Sequence, residues 1–233
     1  MFYFLQRHYL LSAIILFVVM IPIEAIAHGV DESTQYFLVN SSGIQIIPFL
    51  YIGAKHMITG YDHLLFLIGV VFFLYRSRDV LLYVSVFTIG HSITLLYGVM
   101  GNIEVNAYLI DAIIGLSVVY KGFDNLGGFK LLFGKSPSPR IAIFIFGLFH
   151  GFGLATKLLE FELTKDGLLA NLIAFNVGVE LGQFTALAFI LLFINYWRTQ
   201  RSYQLFAVRT NVLLMFAGFI LMGFQLTGYF IAP

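Results

Sequence analysis

The sequence predicts an all-α integral membrane protein, a bundle of six transmembrane helices behind an N-terminal signal peptide. Three observations predict it. Of 233 residues, 60% are hydrophobic and 11% charged, where a soluble domain carries about 25% charged residues. Six apolar segments, at residues 46–74, 80–100, 105–121, 140–159, 168–196 and 208–230, are each long enough to cross a hydrocarbon core of about 30 Å. Lys and Arg alternate between loops in the pattern that orients such helices.

Residues 1–27 have the layout of a secretory signal: Arg7 and His8, an apolar core at 10–21, and the small-x-small site Ala25-Ile26-Ala27. Cleavage after Ala27 makes His28 the mature N-terminus, with an α-amine and an imidazole that could chelate a metal, though the favoured reading of Ala27-His28 is a processing site alone. The alternative is that residues 9–27 remain as a further helix. Residues 28–45 form a short periplasmic segment carrying Asp31, Glu32 and Asn40, and residues 46–230 form the transmembrane domain. Pro48, Gly101, Pro137, Pro139 and Gly167 fall near element ends, as helix breakers should. The loops are short, so consecutive helices are expected to pack antiparallel as one bundle, with no second domain.

The first, third and fifth loops carry the basic residues: Arg76 and Arg78, then Lys121, Lys130, Lys135 and Arg140, then Arg198, Arg201 and Arg209. The second loop has Glu104, and in the fourth Lys157 and Lys165 are offset by Glu160, Glu162 and Asp166. Positive residues stay inside, so the expected location is a bacterial inner membrane with both mature ends on the periplasmic side. A net charge of +1 says nothing about nucleic acid and no basic patch suggests a nucleic-acid partner, while the absence of cysteine excludes disulfides and thiolate metal sites.

Ionisable groups inside such helices cost about 2.5–3.5 kcal/mol each on insertion scales, so their presence asks for a reason. The stretch 53–66, GAKHMITGYDHLLF, holds His56, Asp62 and His63. His56 and His63 are two helical turns apart on one face, and Asp62 is placed to orient His63 or share a ligand with it. His91, Asp111 and His150 follow in the next three segments, and Asn176, Glu180 and Gln183 share one face of the fifth. Counted at 1.5 Å per residue, these groups fall within a band of about 10 Å in the outer half to the middle of the bilayer. Gly147 and Gly151 flank His150, and Gly178 and Gly182 bracket Glu180, a spacing that lets helix backbones approach closely. Imidazole and carboxylate donors without thiolate suit Ni²⁺, Co²⁺, Zn²⁺, Cu²⁺ or Fe²⁺. Spacing alone leaves transport, catalytic and haem sites open.

The blocks GYDHLLFLIG (60–69), FTIGHSITL (87–95), FGLFHGFGLA (146–155) and FNVGVELGQ (175–183) resemble the signature blocks of the HupE/UreJ family of hydrogenase and urease accessory membrane proteins. The resemblance implies a nickel or cobalt permease serving a metalloenzyme maturation system. By position it carries over Asp62 and His63, His91, His150, and Glu180 with Gln183. In the third segment the family pattern tends to Glu, where this chain has the shorter Asp111. The expectation is therefore a carrier or channel for Ni²⁺ or Co²⁺. His63, His91 and His150 bind the ion, with His56 nearer the surface. Asp62, Asp111 and Glu180 neutralise it, and Asn176 and Gln183 orient or hydrate it. The sequence contains no nucleotide-binding P-loop, so the membrane potential or a partner would drive uptake. The alternative from another class is an intramembrane zinc hydrolase acting on a lipid or membrane peptide, with three His ligands and a carboxylate base. The scarcity of polar residues below the band favours that alternative.

Overall fold

The first expected span is two helices rather than one. In the computed structural model, which describes Thr34 and residues 36–38, 42–160 and 164–231, α1 (Ile46–Thr59) ends at Gly60, and α2 (Tyr61–Val71) starts immediately after it. The expected cleavage site and His28 lie outside the described residues. Gly60 has φ −73° and ψ 100°, an extended conformation that stops one helix and caps the next. Its N–H closes α1 on the His56 carbonyl at 2.9 Å, and its own carbonyl accepts from the Leu64 N–H at 3.0 Å. A carboxylate in the first turn suits a helix N-terminus, and Asp62 stands there.

The remaining helices are α3 (Ser77–Met100), α4 (Ala107–Asn125), the short α5 (Gly128–Phe133), α6 (Pro139–Leu159), α7 (Leu168–Arg198) and α8 (Arg201–Ile231). No strand occurs among the described residues. α3, α6, α7 and α8 are long and apolar enough to cross a membrane, and α1 and α2 are shorter apolar helices. The outward faces are apolar too: Phe189, Leu192 and Phe193 on α7 are exposed. Helices hydrophobic all round belong in lipid, and the chain is a membrane protein.

Consecutive helices do not form the main packing pairs, contrary to the sequence expectation. α1 packs along α7, α3 along α6, and α4 along α8. The first two pairs run parallel: Leu50 and Ala54 lie against Gly178 and Gly182, and Phe87 and His91 lie against Gly147 and Gly151. The third runs antiparallel, with Tyr108 against Gly228 and Gly122 against Asn211. The reason is local. In lipid there is no hydrophobic drive between apolar helices, so the partners are those whose small residues admit close backbone contact. A Cβ on Gly178 would strike the Leu50 carbonyl, and one on Gly147 would strike that of Phe87.

The C-terminal end of α2 is held as firmly as its start. Arg198 donates to the Val71 and Phe72 carbonyls at 2.8 and 2.7 Å, and the Tyr203 hydroxyl donates to Phe72 at 2.8 Å. A guanidinium on the last carbonyls of a helix satisfies acceptors that the helix cannot. Asn125 Nδ2 adds a bond to the Gly69 carbonyl and another to Asn211 Oδ1, both 2.8 Å. Gly178→Val should lower unfolding stability in detergent by about 1–3 kcal/mol, the cost of overpacking. Gly223→Ala, where a Cβ meets nothing within 4 Å, should leave it unchanged or slightly raised. Thermal size-exclusion profiles of the two variants check this.

Candidate metal centre

His63 is the hub of a cluster drawn from four helices. Its ring centroid lies 4.8 Å from that of His150 on α6, 5.2 Å from His56 on α1 and 6.3 Å from His91 on α3. His63 and His150 are 1% exposed and His91 0%. The break at Gly60 makes the closest approach between sequence neighbours possible. A straight helix carries residues seven apart through two turns, about 10 Å of rise, which would separate these rings.

Hydrogen bonds fix two of the imidazoles. His63 Nδ1 stands 3.1 Å from Asp62 Oδ1, so against a carboxylate this nitrogen carries the proton. His150 Nδ1 donates to the Phe146 carbonyl at 2.8 Å. Both rings therefore present the Nε2 lone pair as the coordinating atom, the arrangement that outer hydrogen bonds impose on metal-binding histidines. Asp62, His63 and His150 each offer one ligand atom, all within 4.8 Å of one another. Metal bonds of about 2.1 Å keep donors no more than about 4.2 Å apart, so the group would have to draw together slightly to hold a cation.

Aromatic rings enclose this cluster. Phe87 packs against His150 at 4.9 Å, and Phe66 lies 5.7 Å from His150 and 5.9 Å from Phe146. Beyond Phe66 and Phe146 a small cavity of about 10 Å³ reaches Lys121 and Asp124, which pair with each other at 2.7 Å.

The other sequence candidates are placed elsewhere. Asp111 Oδ2 pairs with Lys157 Nζ at 2.9 Å, both largely buried, across α4 and α6. Asn176 Nδ2 donates to the Leu172 carbonyl of its own helix at 2.9 Å. Gln183, fully buried, accepts from the Thr88 hydroxyl at 2.7 Å. Glu180 lines a groove with Ser85, Thr88 and Ser92 of α3, and no histidine lines it. Sequence reading missed three features: the partner role of Lys157, the aromatic frame and the helix break. The break had a signal in Gly60 followed by Asp62, a helix-start pattern inside an apolar run. Lys157 is one face with His150, two turns on, but its pairing with α4 has no trace in local spacing.

Residues 32–233 match the family described as HupE / UreJ protein. The chain belongs to the HupE/UreJ family. No curated protein and no solved structure matches it. In this HupE/UreJ protein the donor set fits a divalent transition metal: two imidazoles with defined tautomers and one carboxylate, without thiolate.

Removing Lys157 leaves the Asp111 carboxylate without this cation in a buried position. Lys157→Met should cost about 3–5 kcal/mol of stability, and adding Asp111→Asn should restore most of it. Thermal unfolding of the single and double variants measures the difference.

Proposed function

We propose that this protein is a nickel or cobalt permease, and that Asp62, His63 and His150 form its ion-binding site, with His56 and His91 alongside. The observation that carries the reading is the convergence of these three ligand atoms within 4.8 Å, from α2 and α6, inside a membrane protein. The charge balance suits cargo. Two neutral imidazoles and one carboxylate leave a bound dication with a net positive charge, and Asp62 sits at the positive end of the α2 dipole. Such a site captures an ion without holding it as a fully neutralised structural site does.

The helices cross the membrane six times in this reading, with α1 and α2 together forming one crossing. Alternating crossings require α1 with α7, and α3 with α6, to run parallel and α4 with α8 antiparallel, which agrees with the packing directions. The Lys and Arg bias of the loops puts both mature ends on the periplasmic side of a bacterial inner membrane. The ion enters from the outer side at His56 and reaches His63, and passage inward requires Phe66 and Phe146 to part. A divalent ion moving inward through 100 mV gains about 4.6 kcal/mol, enough to drive uptake without a nucleotide.

One observation favours a second reading, an intramembrane zinc hydrolase. The aromatic layer of Phe66, Phe87 and Phe146 closes the inner side of the cluster, as suits a site that keeps its metal. In that case the histidines would hold the zinc, which would supply an activated water, and Asp62 would serve as the base.

Uptake of radioactive nickel or cobalt into cells lacking other importers distinguishes them. Wild type should accumulate the ion, His63→Ala should abolish accumulation, and Asp62→Asn should weaken metal binding by about 10–100-fold. Unchanged uptake in His63→Ala overturns the permease reading. A tightly held zinc in protein purified without a metal-binding tag, with no ion movement in proteoliposomes, supports the hydrolase.

A further inference from the structure

We propose that Glu180 and the hydroxyl stripe of α3 form a second cation site, for sodium, apart from the imidazole cluster. Ser85, Thr88 and Ser92 recur at three- and four-residue steps on one face of α3, which puts them in line along the helix. With Glu180 of α7 they line a groove of about 430 Å³ between the two helices. The opposite side of α3 packs its glycine and histidine face on α6, with Gly90 against Phe144 and His91 against Gly151. The stripe and the imidazole cluster therefore occupy different faces of the same helix.

The donors in this groove are all oxygens. A carboxylate with hydroxyl oxygens is a hard ligand set, which suits a hard cation and contrasts with the nitrogen donors around His63. The Thr88 hydroxyl donates to Gln183 Oε1 of α7 at 2.7 Å, a bond that ties the hydroxyl stripe to the helix carrying Glu180. The space exceeds a bare ion severalfold and has room for water molecules, each taking about 30 Å³, to complete a coordination shell.

The groove also asks for a cation. Ile89, Ile93 and Leu96 form the rest of its lining, and no basic side chain lines it among the described residues. The charged groups and histidines on the helices packed against α7, namely Lys55 and His56 on α1, Asp62 and His63 on α2, Arg78, Asp79 and His91 on α3, and Arg201 and Arg209 on α8, are not among the lining residues, and neither are the tyrosines of these helices. A carboxylate at membrane depth with apolar neighbours requires neutralisation. A single negative charge beside three hydroxyls matches a monovalent ion. The hydroxyls favour sodium over a proton, because a proton needs only the carboxylate.

The test uses the full chain in nanodiscs with EDTA present, so that transition metals bound at the imidazole cluster do not contribute. Replacing choline chloride by sodium chloride at equal ionic strength should raise the unfolding temperature by about 2–4 °C. Glu180→Gln should remove the increment. Ser92→Ala and Thr88→Val, which keep the carboxylate, should shift the half-maximal sodium concentration upward severalfold. Binding of radioactive sodium, measured on the same samples, should follow the same order and provides the readout if Glu180→Gln folds poorly. No sodium increment in wild type, or an increment retained in Glu180→Gln, overturns the proposal. Neutralisation by a proton alone would appear as stability that depends on pH and not on sodium, which also overturns it. His63→Ala should keep the full sodium response, so loss of the permease reading and loss of this site give different results.

Discussion

The helix break at Gly60 is the constraint on which the centre depends. A continuous helix would carry His56 and His63 about 10 Å apart along one face. The extended backbone at Gly60 turns α2 so that the rings meet at 5.2 Å. A side chain at this position would press on His63 Nδ1, 2.9 Å from the Cβ, and on the His56 carbonyl at 3.1 Å. Glycine therefore supplies the room and the turn at once. The short α2 created by the break needs support at its far end, and Arg198 and Tyr203 provide it by capping Val71 and Phe72.

Around that break the fold uses glycine for a second purpose. α7 and α6 come close enough to α1 and α3 for backbone to touch backbone, and this brings His91 and His150 within reach of His63. Small residues give this intimacy in a medium where burial of apolar surface contributes little. Some of the remaining polar side chains bond within their own helix. Thr156 and Asn176 bond carbonyls one turn back. Thr88 and Asn211 do the same and also reach Gln183 and Asn125 on other helices.

The acidic residues also differ in their surroundings. Asp62 lies against His63, Asp111 against Lys157, and Glu180 in a groove with Ser85, Thr88 and Ser92. The position of each along its helix was readable for all three, because it follows from counting residues. Their grouping was not, because it depends on which faces of non-consecutive helices meet. Lys157 illustrates the point: at the edge of a loop it reads as a surface charge, yet its side chain turns inward to Asp111.

The sequence by itself determined the class of protein, the approximate helix limits and the family, and it singled out His63, His91 and His150. These follow from composition, hydropathy and short motifs, which act along the chain. That His56 joins the three histidines came from the structure. The tertiary structure alone decided that α1 pairs with α7, α3 with α6 and α4 with α8, and that Asp62, His63 and His150 form the tightest group. It also separated Asp111 and Glu180 into other surroundings. The physical reason is that helix pairing in lipid rests on the fit of small residues across distant segments, and no period within one helix encodes its partner.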